Sequence, residues 1–396
     1  MRFLRQALAV TAVSIRTIPQ RLSSSLVAVV GITGVVVVFV AVLSIGEGFK
    51  AAMTNAGRSD RAIIMRSGAD SEMSSGLAGD HVNIIKTAPG ILQGTNATPL
   101  ASSEMFVVID VNRKATNTAA NVPLRGVDAT VLEVRPEVKI VEGRMFSFGT
   151  NEVIVGRAAN RQFSKLNVGD LLHSGEISWQ IVGVFEARGS VAETEIWCDV
   201  KILQSNYRRG NSYQSVLVRL DSAASFDPFK DWLTSNPQID VQVRRESEYL
   251  ESQSRALTTL VRILGSIIAI LMGIGAVFGA VLTMYAAVVT RTREIATLRA
   301  LGFGSMPVLL SVIGESIFLA LCGGVIGGAL AFLIFNGYQT STMNWQTFSQ
   351  VAFAFAVTPA LLVQGILYSL AMGLVGGIFP ALRAARLPIS QALREL

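Results

Sequence analysis

Residues 244–262, RRESEYLESQSRALTTLVR, contain no Gly, no Pro and no turn signal, and they lead directly into 263–290, ILGSIIAILMGIGAVFGAVLTMYAAVVT. The second stretch is charge-free and longer than the roughly 20 residues a helix needs to cross a bilayer core. The spacing predicts one unbroken helix from near Glu246 to near Thr290, roughly 65 Å long at 1.5 Å per residue, leaving a folded domain and entering the membrane without a break. Such a helix could carry motion mechanically. It reads equally as an ordinary linker, because helix propensity says nothing about movement.

Working outward, 51% of the 396 residues are hydrophobic and 16% charged, and the mean hydropathy is +0.48. Part of this apolar surface must face lipid. A first span is predicted at 26–46, an uncleaved anchor behind Arg2, Arg5, Arg16 and Arg21 and too long for a signal-peptide core. Ahead of it, in 1–25, Phe3, Leu4, Ala7, Leu8 and Ile15 recur at helical spacing, as in a helix lying in the headgroup layer. The second span closes the segment 256–290. No charge occurs between Ser316 and Leu382, and polar and interfacial residues near Asn336, Asn344 and Trp345 divide this run into spans at 307–336 and 352–380 with a short external loop at 337–351. Lys and Arg cluster in the amino-terminal arm, at 291–306 and in the tail 381–396, which predicts cytoplasmic termini and an external domain at 47–255. The net charge of +6 is thereby accounted for by headgroups, and nucleic acid is not expected as a partner.

Within 47–255, alternating segments at Met105–Asp110, Glu152–Val155, Trp179–Phe185 and Ser215–Leu220 predict strands. Ala158–Leu166 and Phe226–Ser235, the latter with Asp221 and Ser222 as caps, predict helices. The fold class is therefore a membrane protein with four transmembrane α-helices, one before and three after a large extracytoplasmic α+β domain. Chemistry is sparse. His81 and His173 have no second ligand at metal spacing, and no Gly-x-Ser-x-Gly elbow occurs. No catalytic residue, cofactor or metal site is expected. Cys198 and Cys322 fall on different sides of the hydrocarbon boundary, so no disulfide between them is expected.

The stretch 291–316, RTREIATLRALGFGSMPVLLSVIGES, and the end, FPALRAARLPISQALREL, resemble the permease domain of the MacB and FtsX type shared by macrolide exporters and lipoprotein-releasing transporters. VEGRMF at 141–146, EVIVGR at 152–157 and residues 168–186 resemble that family's periplasmic core domain. The resemblance implies a permease subunit of an ABC transporter in a bacterial inner membrane. It dimerises with a second permease, identical or not, and can meet a periplasmic adaptor. In that family the motion serves export, lipoprotein extraction or control of cell-wall hydrolases. No Gly-x-x-x-x-Gly-Lys-Ser/Thr loop occurs in these residues, so ATP and Mg are expected on a separate ATPase subunit. The alternative is a membrane receptor or scaffold whose external domain binds a ligand or regulates an envelope enzyme.

Candidate coupling residues follow from the same stretch. Arg291, Arg293, Glu294, Ile295, Leu298, Arg299, Leu301 and Gly302 form an amphipathic turn of helix, with Ile295, Leu298 and Leu301 toward one side and with Gly302 and Gly304 at its end. The resemblance makes it a coupling helix pressed into the ATPase; amphipathicity alone fits a helix lying on the membrane as well. Glu315 is the single charge of the third span and needs Arg293 or Arg299 as partner, or a route to the interface. The i, i+4 pairs Gly275 and Gly279, Gly323 and Gly327, Gly324 and Gly328, and Gly373 and Gly377 allow close helix packing, although general membrane glycine content accounts for them too.

Overall fold

The computed structural model describes residues 22–55 and 57–386, and ahead of them 6, 10–12, 14, 16 and 17. The proposed arm residues Arg2, Phe3, Leu4, Arg5, Ala7, Leu8, Ile15 and Arg21, and the tail beyond Arg386, lie outside these. The described chain divides into two units, one of 48–258 with 339–354 and one of the remaining helices.

The first unit is built on a ten-stranded mixed sheet. Its elements in chain order are the end of helix α1 (Leu22–Thr54), β1 (Arg61–Arg66), β2 (Leu77–Ala78), α2 (Gly79–Lys86), β3 (Ala101–Asn112), β4 (Ala119–Val127), α3 (Val131–Val134), β5 (Lys139–Gly143), β6 (Glu152–Gly156), α4 (Arg157–Gln162), β7 (Leu171–Ser174), β8 (Ile177–Glu186), β9 (Ile196–Asp199), α5 (Val200–Asn206), β10 (Ser212–Tyr213), β11 (Ser215–Arg219), α6 (Phe226–Thr234) and β12 (Val241–Arg245), followed by the first turns of α7 (Glu246–Thr290). The strand order is β12-β1-β11-β3-β4-β9-β6-β8-β5, with β7 on β8 and β10 paired to β2. β4 with β9 and β6 with β8 are parallel, and the other pairs are antiparallel.

Odd positions of β3, Met105 to Val111, enter the larger core with Phe229 and Leu233 of α6 and Val200 and Leu203 of α5. A second core holds Ile154, Phe185 and Trp197, with the last two rings 4.5 Å apart. Full burial of such a side chain stabilises by about 1.5–3 kcal/mol. The predicted caps of α6 are displaced: a 3-10 turn at Ala223–Ser225 starts at Ser222, and Ser225 precedes the helix.

The second unit contains four helices long and apolar enough to cross a membrane: α1, α7, α9 (Ser305–Phe335) and α10 (Pro359–Arg386), with α8 (Thr292–Ala300) between α7 and α9. α7 is a single helix of 45 residues.

One expectation needs correction. The residues read as a loop at 337–351, with the first residues read as the fourth span, form a hairpin in the sheet-containing unit, β13 (Gln339–Asn344) and β14 (Ser349–Ala354). Ala352 N–H donates to Thr194 Oγ1 at 2.9 Å, and Phe353 meets Phe49 edge-on at 5.6 Å. The last helix starts at Pro359, with Thr358 Oγ1 accepting from Leu361 N–H at 3.3 Å, a proline in the first turn behind a threonine cap.

The glycine pairs differ in what surrounds them. A Cβ on Gly323 or Gly327 would lie 3.0 and 2.9 Å from atoms of α1, and one on Gly324 2.2 Å from Ser369 Oγ of α10. One on Gly373 or Gly377 would lie 2.4 and 2.8 Å from Ala320 and Ser316 of α9, while Gly328 has ordinary clearance, 3.4 Å from Leu362. Gly275 and Gly279 face open space. Close approach therefore needs five of the predicted glycines, and the pair on α7 packs on nothing among the described residues, because its helix presents that face outward.

Candidate functional site: the junction of the second and third spans

α7 stops at Thr290, and Arg291 turns the chain into α8. The Arg291 guanidinium is buried, and each of its three nitrogens has a partner. Its Nη1 lies 3.0 Å from Glu315 Oε2, its Nε 2.9 Å from Glu294 Oε2, and its Nη2 donates to Ser14 Oγ at 3.1 Å. Ser14 in turn bonds Ser311 at 2.7 Å. Glu315, 4% exposed, thus has a cation at hydrogen-bond distance, which offsets the 2–3 kcal/mol that a lone charge would cost in the span. The contact at 3.0 Å is made by Arg291, the residue that follows the end of α7, while Arg293, one of the two arginines expected for this role, is exposed.

α8 is held from beneath by Ile295, which is buried with Met284 and Val288 of α7, Val308 and Val312 of α9, and Ala381 and Ala384 of α10. Its end is closed by Gly302 at φ +94°. Gly302 N–H donates to Arg299 O at 3.1 Å and Phe303 N–H to Leu298 O at 3.1 Å, the paired bonds of a left-handed helix stop that only glycine adopts without strain. Gly304 has a different role, standing ahead of the first residue of α9. Leu301 departs from the expected apolar side: it is 73% exposed, since six residues at about 100° each leave it about 120° around the helix from Ile295. Arg293, Glu294, Thr297 and Leu301 make the outward face, with Leu298 and Arg299 half-buried at its edge.

The sheet-containing unit holds a second concentration of charge that sequence reasoning missed. Arg125 of β4 is buried among three carboxylates: Glu72 at 2.7 Å, Glu104 at 2.8 Å and Glu195 at 2.8 Å. Arg135 also pairs with Glu104, Trp197 Nε1 donates to Glu195 at 2.7 Å, and Ser215 Oγ donates to Glu72 at 2.6 Å. Burial would push the Glu104 carboxyl up, but the charges of Arg135 and Arg125 outweigh it and hold the pKa at about 2. Beside this network Arg61 of β1, wholly buried, reaches Glu246 at 2.7 Å and Glu137 at 2.6 Å. Here burial dominates, and the Glu246 carboxyl is raised despite Arg61. Glu246, Tyr249 and Gln253 lie on one face of the opening turns of α7. Tyr249 Oη accepts from Glu72 N–H at 3.3 Å, and Gln253 Nε2 donates to Asp70 O at 3.2 Å. The start of the long helix is therefore fixed to the sheet by ion pairs and hydrogen bonds. Among the described residues no three His, Cys, Asp or Glu side chains are grouped to hold a metal.

One membrane helix ahead of a mixed sheet domain and three behind it, with a short helix between the second and third, define the class. Residues 25–236, more than half of the chain, match the MacB-like periplasmic core domain, and 266–389 match the FtsX-like permease C-terminal domain. The chain belongs to this family of membrane proteins with a large extracellular α/β domain. Among curated relatives, the macrolide export ATP-binding/permease protein MacB of Bdellovibrio bacteriovorus is 23% identical over 299 residues, 69% of this chain and 44% of that protein. MacB of Vibrio parahaemolyticus is 23% identical over 335 residues, 80% and 48% of the two chains. The chain spans about half the length of the curated relatives it matches. The crystal structure of the periplasmic region of MacB from Actinobacillus actinomycetemcomitans, 12% identical, covers 49% of this chain and 92% of that one at a TM-score of 0.38, too low to bear on the fold.

Proposed function

We propose that this chain acts as the permease component of an ABC transporter, with α8 as the element that an ATPase engages. The observation that carries the reading is the Arg291 node. One guanidinium ties the start of α8 to Glu315 in α9, while Ile295 wedges the same helix against α7, α9 and α10. A push on the outward face of α8 is then delivered to all three helices. α7 is the natural carrier of that movement, because it is one unbroken helix whose first turns are bonded to the sheet.

In this reading ATP and Mg are bound and hydrolysed outside these residues, which contain no phosphate-binding loop. Both termini are cytoplasmic, a second permease completes the transporter, and a periplasmic adaptor can join it. The cycle moves the extracellular domain to export or extract a substrate. The test is co-purification with an ABC ATPase and assay of its turnover, with Glu294→Ala and Leu298→Ala in the permease. Weakened assembly or lost stimulation supports coupling; unchanged assembly and turnover, or no ATPase partner at all, favours a receptor or scaffold instead.

A further inference from the structure

Strand β3 changes neighbours part-way along. Ala101–Glu104 pair with β11, and Met105–Asn112 pair with β4 on the opposite side. The side that β11 has left is therefore a sheet edge. Phe106 N–H points to that side and donates to Gln214 Oε1, and further along Asn112 O accepts from Ser164 N–H at 2.7 Å. Main-chain groups two residues apart on a strand point the same way, so Val108 and Asp110 turn their N–H and C=O outward between these two closures. The register agrees: Val108 stands opposite Pro123, a pair in which neither residue bonds across the ladder. Among the described residues no other strand or loop bonds the outward groups of Val108 and Asp110, and Val108 is half-buried while Asp110 is exposed. Beside this edge lies an open cleft of ≈ 340 Å³, with Phe106, Val108, Met73, Tyr207 and Arg209 in its wall. Arg209 is the one charged residue lining it, exposed and without a salt bridge among the described residues.

We propose that an extended segment of a partner polypeptide adds to this edge as a further strand, its carboxylate side chain beside Arg209 and an apolar side chain against Met73 and Tyr207. The main chain fixes the class of occupant. Donors and acceptors that recur every second residue, about 6.8 Å apart, are matched along their row by another extended backbone. Native sheets ordinarily blunt or cover such an edge. Here Gln214 and Ser164 cover the two ends and leave the window from Phe106 to Asp110 open. Charge sets the register: Arg209 favours an acidic residue near Phe106, whereas Asp110 disfavours one at the far end of the window. This docking does not depend on the coupling role of α8.

The experiment uses the full chain in detergent and fluorescence anisotropy with the labelled pentapeptide TVEVT and its glutamine counterpart TVQVT. Two N-methylated forms of TVEVT complete the set, one blocked at both valines and one at the glutamate and the last threonine. Only alternate amides of an added strand face the edge, so one methylated form should lose about tenfold or more in affinity while the other retains it. Arg209→Gln should weaken TVEVT about tenfold and leave TVQVT unchanged. Val108→Pro removes an edge N–H and no ladder bond; it should weaken TVEVT about tenfold at an unchanged circular-dichroism spectrum, while Val108→Thr retains binding. Should the proline variant not fold, the two methylated forms decide with the wild-type chain. No binding of TVEVT at millimolar concentration, equal binding of the two methylated forms, or full affinity in folded Val108→Pro would overturn the proposal. Self-association of the chain that Val108→Pro abolishes, in place of peptide binding, would assign the edge to a second copy and overturn it as well.

Discussion

Arg291 Nη1 stands 3.0 Å from Glu315 Oε2, joining the residue that follows the second membrane helix to the one charge inside the third. Both are buried. A matched pair of this kind adds little net stability, but removing one member leaves the other less well compensated.

Glu315→Leu leaves Arg291 with the exposed Glu294 and with Ser14, so it should destabilise the helical unit by about 1–3 kcal/mol, read as a lowered thermal-unfolding midpoint in detergent. Replacing Arg291 by Met in the same chain should recover much of the loss. Additive losses in the double variant would show that the two side chains act independently.

Glycine substitutions should divide by position. Gly373→Val forces a side chain into Ala320 and the Ser316 carbonyl and should cost about 1–3 kcal/mol or more. Gly275→Ala and Gly279→Ala, which meet nothing within the described chain, should be neutral or gain about 0.5–1 kcal/mol from helix propensity. Thermal unfolding of the isolated permease ranks the three, and equal losses would contradict the packing.

Acid should weaken the sheet-containing unit through Glu104. Its folded pKa of about 2 is below the ordinary 4.5, so its contribution is complete above pH 4.5 and is lost as pH falls toward 2. The magnitude is on the order of 3 kcal/mol. Glu246 has the opposite sign. Its carboxyl is raised, so ionisation above the ordinary value opposes folding and protonation on acidification relieves it. Denaturant unfolding against pH should show wild type losing more stability than Glu104→Gln between pH 4.5 and 2; parallel curves would refute the assignment.

Arg61→Ala should release the start of α7, because it leaves Glu137 and Glu246 buried without their cation, at about 3–5 kcal/mol. Glu246→Gln, which keeps a hydrogen-bond acceptor and removes a strained charge, should cost much less. Hydrogen exchange in residues 246–253 checks the local effect: faster exchange is expected in Arg61→Ala and near-native protection in Glu246→Gln.

The long helix was legible because nothing between Arg244 and Thr290 interrupts it, and the short helix because Gly302 marks its end. The hairpin was not. Residues 349–353 are buried on both faces of β14, and a strand covered on both sides loses its alternation and joins the neighbouring span into one apolar run. The ionic networks were hidden for a related reason. Arg61, Glu104 and Arg125 occupy strand positions where polar residues ordinarily meet water, and only the fold reveals that Tyr249 of α7 and the β13–β14 hairpin lie over part of that face. Pairing Glu315 with Arg291 required the backbone turn at the end of α7, which residue spacing does not encode.

The most direct measurement is maleimide labelling of Leu301→Cys, with Cys198 and Cys322 replaced by Ser, using a membrane-impermeant reagent on intact cells and on inside-out inner-membrane vesicles. A cytosolic handle engaged by an ATPase predicts reaction in the vesicles alone, slowed when the ATPase is bound. Reaction of Leu301→Cys from outside intact cells would contradict both the orientation and the coupling role of the short helix.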